Sequence, residues 1–294
     1  MREVRDVEET AATSDAPPPE LTRYLGYLMR RVHARFAADP GDDGDPRDCA
    51  VLTLLAEQEV RSQRTLAERL GINRTIMVNL VERLEREGYV ARTRNPDNRR
   101  TYLLSLTDAG QLELARLRRV VAARDERLTA VLSPAERRRL NELLRALLPE
   151  HERTSSDPGT AFLVSQVNLH LRRRADGMLA DVGLRTRHCG PLSVIDWLGP
   201  CPQQRLARQL AINGSATAAL VDELVRAGLV TRGQDPTDRR RYALTLTDLG
   251  RARLGTVREV AERIQAEVTG TLGPTGEAEL RSLLTRLLPT GGGS

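Results

Sequence analysis

Apolar residues recur every three or four positions through most of the chain, and this spacing predicts amphipathic helices. The predicted helices of the first half cover 21–36, about 48–58, 65–70 and 73–87. Gly71 and Gly88 end the last two, because glycine readily adopts the left-handed conformation that closes a helix. The apolar period then shortens to two in 89–94 and 101–107, which predicts a two-stranded hairpin.

A long helix is predicted to follow the hairpin, with Thr107 as its N-cap and an end near Leu132. The sequence Ser-Pro-Ala-Glu at 133–136 combines a capping serine, proline at the first helical position and glutamate at the third. This combination is a capping box, so a last helix is predicted to begin at Pro134. The pattern thus predicts a helix-rich unit with one small hairpin.

The whole pattern occurs twice in the chain. The segments NPDNRRTYLLSLTDAG at 95–110 and DPTDRRRYALTLTDLG at 235–250 are identical at nine of sixteen positions, at an offset of 140 residues. No gap is needed from Asp48 to Pro149, whereas the first helices align at an offset of 138. A tandem duplication is therefore indicated.

The duplication divides the chain into two domains, and 294 residues are enough for each to bury its own core. The predicted divisions are a disordered tail at 1–20, a first copy at 21–149, a linker at 150–160, a second copy at 161–289 and a flexible tail at 290–294.

The charged residues of the chain favour one class of binding partner. All 45 basic residues are arginine, and the formal net charge is +5. Arginine presents a planar fork suited to phosphates and base edges, so a polyanionic partner is favoured. The sequence has no secretory leader and no apolar run of about eighteen residues, which argues against a membrane span. Three cysteines, an odd and sparse set, favour a reducing cytoplasm.

Two short helices followed at once by a hairpin with an arginine-rich tip are typical of a winged helix-turn-helix. A helix fits the major groove of DNA, and a narrow basic hairpin can place arginine in the adjacent minor groove. The predicted buried stripe of the second helix is Met77, Leu80, Val81 and Leu84. The candidate DNA-reading residues are Asn73, Arg74, Thr75, Val78 and Asn79, with Asn213, Ser215 and Ala218 in the second copy.

The stretch LAERLGINRTIMVNLVERLEREGYVARTRNPDNRRTYLLSLTDAG at 66–110 resembles the MarR (multiple antibiotic resistance regulator) family, and 206–250 resembles it again. The resemblance covers nearly the whole chain. It implies a mainly α fold with small β-hairpin wings, in which two winged helix-turn-helix lobes join a shared helical core with pseudo-twofold symmetry. Family members are usually homodimers, so the resemblance implies that two protomers are fused here and that the chain is a monomer.

The same resemblance implies a sequence-specific transcriptional regulator that binds double-stranded operator DNA, as a repressor released by a small-molecule ligand. The wing residues that it implies are Arg99 and Arg100 in the first copy and Asp238, Arg239 and Arg240 in the second. Asp238 orients the wing arginine, but the first copy has Asn98 at that place and so lacks the charge assistance.

The two recognition helices differ further. Opposite Arg74 and Asn79 of the first copy stand Gly214 and Ala219 of the second, which carry few groups able to read base edges. Two interpretations stay open: neutral divergence of one lobe, or a protein built for an asymmetric operator.

An effector pocket is suggested by polar residues on a core-facing stripe. Gln166 and His170 stand where the first copy has Leu28 and Val32, and buried polar groups need a partner. In the family, small aromatic acids or hydrophobic drugs bind between the dimer helices and the DNA lobe. Gln166 and His170, with Trp197, are therefore candidate residues for a small aromatic or hydrophobic effector, and polar groups satisfied within the core are the alternative.

Other chemistry has weaker support. Cys49 and Cys189 are equivalent and lie near the starts of helices, where the pKa of a thiol can fall. A thiol-based redox-sensing regulator is therefore one alternative, although packing as small apolar side chains fits these cysteines better. Cys201 lies in a turn between two prolines, where it could be exposed. No cofactor, metal or catalytic pattern occurs, so an enzyme is not expected. A ligand-binding or protein-interaction scaffold with decayed DNA binding is the other alternative.

Overall fold

A computed structural model of the chain describes residues 19–39, 45–57, 62–95, 102–153, 159–210, 212–234 and 242–288. The first half contains the helices α1 (Pro19–Thr22), α2 (Leu25–Ala38), α3 (Pro46–Ala56), α4 (Gln63–Leu70), α5 (Arg74–Arg86), α6 (Asp108–Leu128) and α7 (Pro134–Ala146). Its strands are β1 (Val90–Arg94) and β2 (Tyr102–Leu106), and a short 3-10 helix follows at Glu150–Glu152.

The second half repeats this order. Its helices are α8 (Thr160–Leu179), α9 (Thr186–Leu198), α10 (Gln203–Leu210), α11 (Gly214–Arg226) and α12 (Asp248–Arg286), with a 3-10 helix at Ala180–Val182. Its strands are β3 (Val230–Gln234) and β4 (Tyr242–Leu246). The mainly helical fold with two small hairpins is the one predicted from the sequence.

The helix end and the helix caps that the sequence predicts are present in the structure. Gly71 ends α4 with φ of 65°, in the left-handed region. Thr107 caps α6 by accepting a hydrogen bond from the backbone N–H of Gly110, and Ser133 and Glu136 form the predicted capping box at the start of α7. These caps satisfy backbone donors that have no partner inside the helix.

Each hairpin is antiparallel, and the two have the same register. Val90 pairs with Leu106 in the first copy, and Val230 pairs with Leu246 in the second. A glycine packs the helix that follows against the hairpin: a Cβ on Gly250 would stand 2.0 Å from a main-chain oxygen. No other residue fits there without moving the backbone.

The span α12 is broken at Gly273, where φ is 71° and ψ is 164°. Gly273 and Pro274 stand at the positions of Ser133 and Pro134, where the first copy starts a new helix. The second copy therefore keeps the helix boundary of the first, although its two helices follow each other without a loop.

The described residues fall into two compact units that each draw on both copies. One unit contains the described residues up to Leu28 together with Leu171–Val268, and the other contains Met29–His170 together with the described residues from Thr269 onward. Each unit has its own apolar core, built around the winged helix-turn-helix of one copy. Within the described residues, no helix is both long and apolar enough to cross a membrane.

Candidate nucleic-acid interface

The recognition helix of the first copy, α5, begins at a well-formed cap. The side-chain oxygen of Asn73 accepts a hydrogen bond from the backbone N–H of Thr75 at 2.8 Å. Asparagine is among the best capping residues because it satisfies a donor that the helix leaves free. The cap fixes where α5 starts and so fixes the direction of the side chains in its first turn.

The two sides of α5 are divided as the sequence predicted. The buried residues of the helix are Met77, Leu80, Val81 and Leu84. On the other side, Arg74, Thr75 and Asn79 are exposed, and Val78 is half-buried. Among the described residues, the side chains of Arg74 and Asn79 have no hydrogen-bond or ion-pair partner, so both are free to contact an external ligand.

The second recognition helix, α11, has the same cap but a different face. Asn213 accepts a hydrogen bond from the backbone N–H of Ala216 at 2.8 Å and another from the hydroxyl of Ser215 at 2.9 Å. Ser215 and Ala219 are exposed, and Ala218 is half-buried. This face offers less hydrogen-bonding capacity than the face of α5, because Gly214 and Ala219 replace Arg74 and Asn79.

The tips of both wings, with Arg99, Arg100, Asp238, Arg239 and Arg240, lie outside the described residues. The strands that lead to the tips are described. Tyr102 and Tyr242, at equivalent positions beside the tips, are 48% and 74% exposed. Sequence reasoning did not single out this pair, although both tyrosines stand in the repeated segment.

An ion pair ties α5 to the helix α3 beneath it. Arg83 on α5 contacts Asp48 on α3 at 2.5 Å, and Asp48 is buried. Burial raises the pKa of the Asp48 carboxyl, and the hydrogen bond from Arg83 lowers it in part. The same hydrogen bond raises the pKa of the Arg83 guanidinium, so the contact favours the charged form of Arg83 while burial disfavours the charged form of Asp48.

The second copy ties the equivalent helices together with a histidine and a glutamate. His188 stands at the position of Asp48, and Glu223 stands at the position of Arg83. The ring Nε2 of His188 lies 3.1 Å from Glu223, while its Nδ1 accepts a hydrogen bond from the backbone N–H of Arg185. A hydrogen bond from Arg187 is the main reason why the pKa of Glu223 is lowered. Neither tie was found from the sequence, although the offset of 140 relates them.

An open cleft of about 1080 Å³ lies beside the start of α5. It is lined by apolar side chains such as Phe36, Ile76 and Phe162 and by the cap residue Asn73. Gln166, from the first helix of the second copy, also lines it. The cleft is thus large enough for an organic molecule and touches the N-terminus of the recognition helix.

The three candidate effector residues have different surroundings. Gln166 is only 3% exposed and lines the cleft. His170 is half-buried and lies 3.6 Å from Glu152, so it faces an acid rather than the cleft. Trp197 is half-buried and belongs to the other compact unit.

The cysteines differ in burial. Cys49 lines the cleft but is buried, and burial raises the pKa of its thiol. The expectation that Cys201 could be exposed is wrong: it is fully buried, because its backbone pairs with Leu244 of the wing, and burial raises its pKa to about 11. Cys189 is half-buried. Burial makes Cys49 and Cys201 poor candidates for a reactive thiolate.

Comparison with known proteins agrees with the duplicated winged helix. The MarR family model matches the chain twice, at residues 46–102 and 192–242. A putative transcriptional regulatory protein for the hcr operon of Thauera aromatica is 34% identical over 107 residues, which are 36% of this chain and 64% of the relative. The chain thus spans slightly less than two thirds of that relative.

A second relative is covered more fully. The uncharacterized HTH-type transcriptional regulator YkoM of Bacillus subtilis (strain 168) is 30% identical over 126 residues, which are 42% of this chain and 82% of the relative. The crystal structure of wild-type MarR (apo form) from E. coli is 25% identical, with a TM-score of 0.39, and the match covers 43% of this chain and 95% of that one. The two family matches and the coverage of YkoM show that the chain belongs to the MarR family.

Proposed function

We propose that this chain is a sequence-specific transcriptional regulator that binds double-stranded operator DNA and acts as a repressor released by a small organic ligand. The observation that carries the proposal is the repeated, exposed recognition helix. Both α5 and α11 are capped by asparagine, bury one stripe and are followed at once by a two-stranded wing. This arrangement fits a helix into the major groove and a wing beside it.

The test of DNA binding is a gel shift with the DNA upstream of the protein's own gene, at several salt concentrations. Binding should weaken steeply with salt, because arginines release counterions from phosphates. Replacing Arg99 or Arg239 with alanine should flatten the salt dependence by about one unit of slope. If neither variant changes binding, the wings do not contact DNA.

The ligand site that we propose is the cleft beside α5. A molecule bound there meets Asn73 and Ile76, which belong to the cap and the first turn of the recognition helix. A ligand that shifts this turn moves Arg74 away from the groove and weakens DNA binding. Release by a ligand is tested by repeating the gel shift with candidate organic acids.

We further propose that the chain is a monomer that acts as an intramolecular pseudo-dimer. Within one compact unit, Arg139 of the first copy contacts Glu279 of the second at 2.9 Å. These positions are equivalent under the offset of 140. Two equivalent residues contact each other only where they lie next to the twofold axis that relates the two copies. The contact therefore supports pairing of the copies within one chain.

The charges at this position also favour pairing of unlike copies. Two identical copies would place like charges at this position, either two arginines or two glutamates. Light scattering should therefore give a single mass near 32.6 kDa. A stable mass of twice that value would reject the pseudo-dimer.

A further inference from the structure

Two tyrosines beside the tips of the wings have much of their rings in solvent. Seven large apolar side chains are exposed in the described part of the chain, and Tyr102 and Tyr242 are the one pair among them at equivalent positions. The residues on either side of the tyrosine differ between the copies, whereas the tyrosine is the same. A single exposed apolar side chain is ordinary on a protein surface, but an exposed ring with a polar end at both copies of one position is typical of a binding surface.

The alternation of the strands shows which side of the wing each ring occupies. Successive residues of a strand point to opposite faces, so Tyr102 shares the face of Leu104, which belongs to the apolar core of its lobe. Tyr242 likewise shares the face of Leu244. Each ring therefore lies on the side of the hairpin that packs against its own lobe, at the strand end where the apolar core stops.

A hydrogen-bond donor lies across the hairpin from each ring. Tyr102 pairs in register with Arg94, and Tyr242 pairs with Gln234. Side chains directly opposite each other in an antiparallel pair stand on the same face, about 5 Å apart at Cβ. Both donors are exposed, and neither tyrosine hydroxyl has a hydrogen-bond partner among the described residues. The phenol and the donor opposite it can thus approach one acceptor together.

The proposed binding mode places a sugar-phosphate strand at this point. With a recognition helix in the major groove and the wing at the adjacent minor groove, the strand that separates the two grooves runs between the helix and the wing. Because α5 and α11 belong to the lobes, the lobe side of each wing faces that strand. The side chains of tyrosine, arginine and glutamine all donate hydrogen bonds to phosphate oxygens, and the apolar part of the ring can pack on deoxyribose.

We propose that Tyr102 with Arg94, and Tyr242 with Gln234, each hold one backbone phosphate between the recognition helix and the wing. The inference rests on the proposed DNA binding and deepens it, because it assigns contacts that fix the register of each lobe on the duplex without reading sequence. The two contacts differ in charge, since arginine adds a cation in the first lobe and glutamine leaves the second contact neutral. The second lobe, whose recognition helix has few base-reading side chains, therefore keeps a contact that fixes its register.

The experiment is a gel shift of the full chain on its upstream DNA with Tyr102→Phe and Tyr242→Phe, which keep the ring and remove only the hydroxyl. Each variant should weaken binding about three- to tenfold, by the same factor on operators of altered sequence, because a phosphate contact carries no sequence information. The salt dependence should be unchanged, because a neutral hydroxyl releases no counterion. Ser105→Ala is the matched control: it removes an exposed hydroxyl from the opposite face of the same strand and should leave the affinity unchanged.

Ethylation interference identifies the phosphates themselves. An ethyl group on a phosphate that accepts these hydrogen bonds blocks the contact, so the unmodified chain should show interference at one such phosphate in each half-site. That interference should be weaker in Tyr102→Phe at one half-site and in Tyr242→Phe at the other. Arg94→Ala should reduce the slope of the salt dependence by about one unit, whereas Gln234→Ala should leave the slope unchanged.

Wild-type affinity in both phenylalanine variants would overturn the inference, and so would a loss that varies with the operator sequence or changes the salt slope. A loss in one variant alone would overturn the contact of the other lobe. Circular dichroism verifies that each variant is folded. Specific DNA binding that needs neither hydroxyl contradicts this inference alone, whereas absence of DNA binding by the unmodified chain contradicts the proposed regulator and this inference with it.

Discussion

Replacing Arg74 with alanine tests whether the first lobe provides most of the base discrimination. Arg74 is exposed and has no partner among the described residues, so no internal contact has to break before it reaches a guanine. A bidentate contact from arginine is worth about 1 to 3 kcal/mol of discrimination, which is about five- to 150-fold in the ratio of dissociation constants. At the equivalent place in the second lobe, Gly214 has no side chain to lose.

The assay is a scan of the operator in which each base pair is changed in turn and the dissociation constant is measured at one fixed salt concentration. With the unmodified chain, changes in one half-site should weaken binding strongly and changes in the other only slightly. Arg74→Ala should remove this difference between the half-sites. Gly214→Ala is the matched control, because a Cβ there meets nothing within 4 Å and should leave the scan unchanged.

Equal sensitivity of both half-sites with the unmodified chain would refute the reasoning. It would mean that Ser215 and Ala218, with the backbone of α11, read DNA as well as the longer side chains of α5. A uniform loss of affinity in Arg74→Ala, independent of sequence, would instead assign Arg74 to a phosphate.

Three further outcomes are expected. Gly250→Ala should destabilise the fold by about 1 to 3 kcal/mol in urea unfolding, because its Cβ would strike a main-chain oxygen. Gly255→Ala lies in open space on the same helix and should stabilise the fold by about 0.5 to 1 kcal/mol. A hydrogen bond from Arg286 holds the pKa of Glu136 at about 2, below its ordinary value of 4.5. The stability that the ionised Glu136 adds to the fold is fully present above pH 4.5 and should be lost as the pH falls towards 2. Glu136→Gln should remove that part of the pH dependence of the melting temperature, and an unchanged profile would contradict the contact. Cys201 should react with iodoacetamide at neutral pH far more slowly in the folded chain than in urea, and equal rates would contradict its burial.

Elements defined by local signals were predictable from the sequence. The capping box at Ser133, the helix stop at Gly71 and the buried stripe of α5 depend on neighbouring residues at fixed spacings, and all three are present. The alignment of the two copies then predicts the same boundaries in the second copy, and the break at Gly273 lies at one of them.

Features defined by distant residues were not predictable. The ion pair of Arg139 and Glu279 joins positions 140 residues apart, and nothing in either local sequence indicates it. Cys201 was misjudged for the same reason: flanking prolines indicate a turn, but the strand that covers this residue lies more than forty positions away, at Leu244. The cleft likewise depends on Gln166, which the chain brings beside residues far from it in sequence.

The different side-chain pairs beneath the two recognition helices have a consequence for how the two repeats evolve. In the first repeat Asp48 faces Arg83, and in the second His188 faces Glu223. A gene-conversion tract that copied α3 over α9 but stopped before α11 would set an aspartate against Glu223, whose side chain is 33% exposed, and the two like charges would repel each other. Copying in the other direction would set a histidine against Arg83. Copying one of the two helices alone therefore mismatches the pair, whereas copying both together keeps it matched.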